Sequence, residues 1–178
     1  MKGIVFNLLE EIVVEHHDED TWDDLLDEAG VDGSYTSLGN YADEDLMQLV
    51  AAASERLELP PEDVVRWFGR NATPIFKRQY PDFFAPHDST LPFVLTLNEI
   101  IHPEVRKLYP GADVPVFEFD TTSDDVLVMD YSSARKLCAF AEGLLLGAGD
   151  VFGEEVTISQ PRCMNRGDER CRLEISVS

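Results

Sequence analysis

The stretch MDYSSARKL, from Met129 to Leu137, sets a phenol, a hydroxyl and a guanidinium at Tyr131, Ser133 and Arg135, two residues apart each time. On a strand, positions i, i+2 and i+4 point to one face. All three side chains donate hydrogen bonds, so together they ask for an anionic acceptor. Taken singly, each has a plainer use: Arg135 pairs with a carboxylate, and Tyr131 sits half-buried. A second candidate is His102, in LNEIIHPEV, at the polar edge of a strongly apolar helix. A lone histidine there is usually structural, and axial ligation of a metal is its other use. The third group is Cys138, Cys163 and Cys171. An odd number of cysteines makes a disulfide framework improbable and leaves metal binding, redox chemistry or plain burial.

These groups need elements to position them. Residues 2–17 carry apolar residues at helical spacing (Ile4, Val5, Leu8, Leu9, Ile12, Val13). Thr21 opens a short acidic helix that stops near Gly30, and the Gly-, Ser- and Asn-rich VDGSYTSLGNY is a loop. A further helix spans 43–57, its first turn acidic with Asp43, Glu44 and Asp45. LPPEDVVRWFGRNATPIFKRQYP starts a helix at its prolines, and Pro74 should kink or divide it. One helix is then expected from Ser89 to Tyr109, carrying His102. Beyond Pro110 and Gly111 the pattern turns to strands: PVFEFD and DVLVMDY pair across the turn TTSD. A long helix over 133–149 follows, with Ser132 or Ser133 as N-cap, so the three donors stand where strand becomes helix. Two more strands lie around EEVTISQ and RCRLEISV. Helices followed by ββαββ make an α+β domain with an antiparallel sheet.

The chain has 178 residues with 44% hydrophobic content, enough for one domain with a real core. Its net charge of −21 repels a phosphate backbone and argues against nucleic acid, while an acidic surface can steer a basic partner. No apolar run is long enough to span a membrane, and MKGIVFNLLEEIVVEHH, interrupted by Asn7, Glu10 and Glu11, is no signal peptide. A cytoplasmic protein is the expectation.

The whole chain resembles the H-NOX family, the haem nitric oxide/oxygen-binding domains of bacterial gas sensors and of soluble guanylate cyclase. The resemblance begins at MKGIVFNLLEE. It takes in His102 within IIHPEVRKLYPGADVP and the Y-x-S-x-R signature at Tyr131, Ser133 and Arg135. It implies one domain over 1–178, with a helical part about 1–60 and a haem-enclosing part about 61–178. It also implies haem b, with His102 as proximal ligand and Tyr131, Ser133 and Arg135 on the propionates. Two carboxylates leave one haem edge, and a guanidinium fork with two hydroxyls suits them. Pro115 matches a proline that presses on the haem and holds it out of plane.

The resemblance extends to the ligand side. Oxygen-holding relatives carry a distal tyrosine nine residues after the motif's tyrosine, where this chain has Phe140. Leu9 and Ala72 stand where those relatives place other polar or indole partners, and Val5, Phe76 and Leu144 are expected apolar neighbours. Phe140 cannot donate a hydrogen bond, so the pocket should favour nitric oxide (and carbon monoxide) and exclude dioxygen. The plainer reading of Phe140 and Leu144, helix–core packing, is compatible with this role. A subset of the family binds zinc through three matching cysteines and a histidine, but that fourth position is Gln160 here, a poor zinc ligand, which leaves structural zinc on three thiolates plus water or a nearby carboxylate, a redox-active thiol cluster, or three inert cysteines. The expectation is a haem-based gas sensor without catalytic activity. Nitric oxide would break the iron–His102 bond and relax the haem, so regulating a separate histidine kinase or diguanylate cyclase/phosphodiesterase. Two rivals stay open: a haem enzyme acting on peroxide or dioxygen, and a thiol or zinc redox switch at the cysteines.

Overall fold

The first helix, α1 (Gly3–His16), forms on the expected apolar face and buries Phe6, Leu8, Leu9, Ile12 and Val13. The structure is a computed structural model and describes residues 1–123 and 126–178. Helix α2 (Glu19–Ala29) begins two residues before Thr21, because the Asp18 carboxylate accepts the Thr21 amide (2.8 Å) and caps the helix. Gly30, at φ 67°, ends it. Helix α3 (Asp43–Leu57) has the expected bounds.

Helix α4 (Pro61–Gln79) runs undivided through Pro74. Proline removes the amide that the Arg70 carbonyl would accept. That carbonyl faces the closest approach of another helix: a Cβ built on Gly147 would lie 2.3 Å from it. The break foreseen at Pro74 is thus absorbed where two helices touch.

The single helix expected over Ser89–Tyr109 is three pieces. After the short α5 (Pro81–Phe84) come α6 (Thr90–Leu95), a π-helical turn (Leu97–Ile101) and α7 (His102–Leu108). The Ile101 amide bonds to the Thr96 carbonyl (3.2 Å), and the His102 amide reaches back to Leu97. Both are i→i+5 bonds, so one extra residue is wound into the turn before His102.

Four strands, β1 (Val116–Asp120), β2 (Leu127–Ser132), β3 (Val156–Arg162) and β4 (Cys171–Val177), form one antiparallel sheet in the order β1-β2-β4-β3. Asp124 of the expected TTSD turn and Asp125 of the expected strand lie outside the described residues. Tyr131 faces Phe117 on one neighbour and Cys171 on the other. The last helix, α8, runs from Cys138 to Phe152, not from 133. Residues 133–137 form a turn in which Lys136 has φ 52°, so neither Ser132 nor Ser133 caps the helix.

Two large apolar cores result, with a small third cluster of Val50, Val64 and Val65. One joins α1–α3 with Phe68, Ala72 and Ile75 of α4. The other joins the sheet, α8 and the α5–α6 region. Helices α4 and α8 cross at Gly69, Gly143 and Gly147, where an added Cβ would lie 2.4 Å or less from the opposing backbone.

Candidate functional site

A cavity of about 350 Å³ lies between the two cores, a size and a largely apolar lining that suit a small organic ligand or cofactor. Of the residues singled out in the sequence, His102, Pro115, Tyr131, Ser133, Arg135, Val5, Phe76, Phe140 and Leu144 line it. Leu9 and Ala72 do not; both are buried in the N-terminal core instead.

His102 is the first residue of α7, set by the π turn behind it. The Asn98 side chain ties that turn to the sheet by donating to the Phe117 carbonyl (2.7 Å). The imidazole stacks on the Phe117 ring at 5.3 Å. Its ring nitrogens have no hydrogen-bond partner among the described residues. Burial, helped by the charge of Arg106, pushes its pKa down to about 4, so at neutral pH it carries a free lone pair. That is the protonation state a metal ligand needs. At the far end of α7, Tyr109 shares a hydrogen bond with Tyr80 (2.6 Å), and both rings border the cavity.

The opening question about Tyr131, Ser133 and Arg135 has a geometric answer. Tyr131 ends the buried face of β2, while Ser133 and Arg135 lie in the turn before α8. The Tyr131 oxygen accepts the Leu137 amide (3.0 Å), and the Ser133 oxygen accepts the Arg135 amide (3.3 Å). The Tyr131 hydroxyl so anchored keeps its own proton to donate. Burial pushes the Tyr131 phenol above its ordinary pKa, so it stays a donor. The Arg135 guanidinium holds two carboxylates, Asp43 through Nε (2.7 Å) and Asp113 through Nη1 (3.0 Å). The same Asp43 binds the Met1 amino group (2.6 Å). Sequence reasoning missed both aspartates. Asp43 was legible only as part of an acidic first turn, and no spacing rule links Asp113 to Arg135.

The wall formed by α1, α4 and α8 presents Val5, Phe76, Phe140 and Leu144. Phe140 leans on Phe68 at 4.9 Å. A polar residue of α4 on this wall, also missed in the sequence, is Thr73, and its hydroxyl proton goes to the Leu144 carbonyl (3.0 Å).

Away from the cavity, Cys138, Cys163 and Cys171 are buried with their sulfurs all within 4.8 Å of one another. The structure thus brings the third sequence-predicted group together. No histidine or carboxylate among the described residues completes it as a fourth ligand. Gln160 comes from an irregular stretch of β3, its buried Nε2 beside the Cys138 sulfur.

The chain matches the haem-NO-binding family over residues 2–160 and belongs to it. It is similar to an H-NOX protein from S. oneidensis in the Fe(II)NO ligation state, at 34% identity and a TM-score of 0.93, over 100% of this chain and 99% of that one. An H-NOX from Shewanella woodyi in the Fe(II)CO ligation state matches at 32% identity and a TM-score of 0.83, over 99% and 94% of the two chains. Unliganded Fe(II) H-NOX from K. algicida, at 24% identity and a TM-score of 0.87, covers 100% of this chain and 97% of that one and shares the fold.

Proposed function

We propose that the protein is a haem-based nitric oxide sensor that excludes dioxygen and regulates a separate signalling protein. The cavity fits haem b on three counts: a neutral imidazole without a partner, apolar walls, and a cluster of donors for carboxylates. His102 would hold the iron. Tyr131, Ser133 and Arg135 would hold the propionates, with Pro115 against the ring. The bound group supplies a ferrous iron that takes diatomic gases. Family membership and the nitric oxide and carbon monoxide forms of the Shewanella proteins support a gas sensor.

One observation carries the choice of gas. Val5, Phe76, Phe140 and Leu144 donate nothing, and the Thr73 proton is already bonded to a backbone carbonyl. Dioxygen draws charge onto itself and needs a donor, while nitric oxide needs much less help. Val5, Phe76, Phe140 and Leu144 likewise bring no polar or basic group of the kind peroxide chemistry requires, which favours a sensor over an enzyme. Helices α4 and α8 cross so closely at their glycines that α4 moves with the haem-enclosing part. The N-terminal helices, about residues 1–60, are then the part that shifts against about 61–178 when the hold on His102 is released. The receiver is a cytoplasmic histidine kinase or diguanylate cyclase/phosphodiesterase. A closed zinc site at the cysteines does not fit, because the fourth ligand is missing.

The test is the absorption spectrum of the reduced protein. Nitric oxide and carbon monoxide should each shift it, and equilibration with air should leave it unchanged at first. Phe140→Tyr supplies the missing donor, worth about 1.5–3 kcal/mol to a charged acceptor, and should raise dioxygen affinity by roughly one to two orders of magnitude. A stable dioxygen spectrum for the unmodified protein would overturn the assigned selectivity.

A further inference from the structure

The cysteine cluster is built more carefully than plain burial requires. Cys138 opens α8, Cys163 precedes a 3-10 turn (Met164–Arg166), and Cys171 opens β4, so three separate elements deliver one thiol each to the same point. Their exposures are 3%, 4% and 0%. The Cys138 and Cys163 sulfurs are 3.7 Å apart. N–H groups point at the sulfurs. The Met164 amide donates to Cys171 (3.1 Å), and the Asn165 amide to Cys138 (3.6 Å). The Gln160 Nε2 is buried beside the Cys138 sulfur. Donors on sulfur stabilise sulfur that carries negative charge. The cluster thus offers three ligands at one point, with N–H donors placed on two of the sulfurs.

Ligand number then decides the chemistry. Structural zinc closes a tetrahedron, and no histidine or carboxylate among the described residues joins the three sulfurs here. Charge points the same way. Three thiolates around a divalent ion leave a net negative charge, which is costly to hold in a buried site. Three thiolates around a trivalent centre leave none.

We propose that Cys138, Cys163 and Cys171 form a three-sulfur site for a trivalent thiophile of the arsenite class, held by no fourth protein atom. The reaction is an exchange without redox change. Three S–H bonds and three As–O bonds break, three As–S bonds form, and the three protons leave in three water molecules. Occupancy ties the β3–β4 turn to the first residue of α8, the helix that presents Phe140 and Leu144 to the cavity.

The probe is arsenite added to the phosphine-reduced, haem-loaded protein under nitrogen. One arsenic should bind per chain, three titratable thiols should disappear, and X-ray absorption should count three sulfurs and no lighter ligand. The unmodified chain needs no variant for this reading, so a folding defect cannot obscure it. Cys171→Ser should leave two sulfurs and weaken binding at least tenfold. Gln160→His supplies the missing corner and should raise zinc affinity by at least about tenfold. Two sulfurs on arsenic in the unmodified protein, or zinc held as tightly by it as by Gln160→His, would overturn the assignment.

Discussion

A histidine on an apolar helix becomes a ligand or a packing residue according to what its ring nitrogens can reach. His102 stacks on Phe117, is neutral at pH 7, and finds no hydrogen bond among the described residues. A packing histidine is normally satisfied, so this one borders the cavity with its chemistry unused. His102→Ala should therefore yield folded protein that loses most of its haem on gel filtration, with imidazole in the buffer restoring the cofactor to the vacated space. Haem retained at the original stoichiometry without imidazole would remove His102 from the proposed role. At this scale the sequence was informative where a pattern joined several residues. The two-residue spacing of Tyr131, Ser133 and Arg135 marked them as one group, and all three line the cavity, though a turn and not a strand face brings Ser133 and Arg135 there. It was silent where partners are far apart in the chain: Arg135 meets Asp43 across 92 positions and Asp113 across 22. Leu9 was misplaced for a related reason. Helical spacing says that a residue is buried, not which of two cavities or cores its face meets.

Among the elements, the helix before His102 shows how a small local irregularity sets a site. Apolar spacing over Ser89–Tyr109 is continuous, so nothing in the pattern signals that Leu97–Ile101 closes its hydrogen bonds five residues back. The extra residue changes the bearing of everything after it, since each residue of an α-helix turns the chain by about 100°. Deleting Glu99, exposed in that turn, should restore regular α-helical bonding and swing the His102 ring off the cavity wall. The deletion should preserve cooperative unfolding and helical circular dichroism while haem retention falls at least about tenfold, the loss expected when a ligand is misdirected. Unchanged retention would mean that α7 reorients freely and that the π turn sets nothing. The start of α8 was misread for the opposite reason. Ser132 and Ser133 look like caps, and the residues after them are good helix formers. The chain instead makes a turn with Lys136 in the left-handed region, held by the Leu137 and Arg135 amides on Tyr131 and Ser133. Those side chains are occupied in building the donor cluster, so they are not available to cap the helix.

Across the whole molecule, charge is distributed as unevenly as the cores. Sixteen of the 35 acidic residues, but only two of the 14 Lys and Arg residues, fall in the first 60 positions. Two effects of salt then oppose each other. Screening weakens ion pairs such as Arg56–Asp24 and Arg78–Glu15, but these are exposed and worth about 0–1 kcal/mol each. Screening also relieves the mutual repulsion of a chain at −21. The second effect acts on every acidic neighbour at once. At about 0.01 M salt the Debye length is roughly 30 Å, spanning a domain, and at about 1 M it is roughly 3 Å. The repulsion should therefore win. Raising sodium chloride from about 0.02 to 0.5 M at pH 7 should raise the unfolding midpoint of the haem-loaded protein by several degrees, each kcal/mol being worth about 2–4 °C at this size. Chloride is the salt to use, because sulfate strengthens apolar burial by exclusion and would give a rise of different origin. A falling midpoint over that range would show that the ion pairs dominate. The acidic N-terminal third, the part assigned to move, would then be held in place by its few cations.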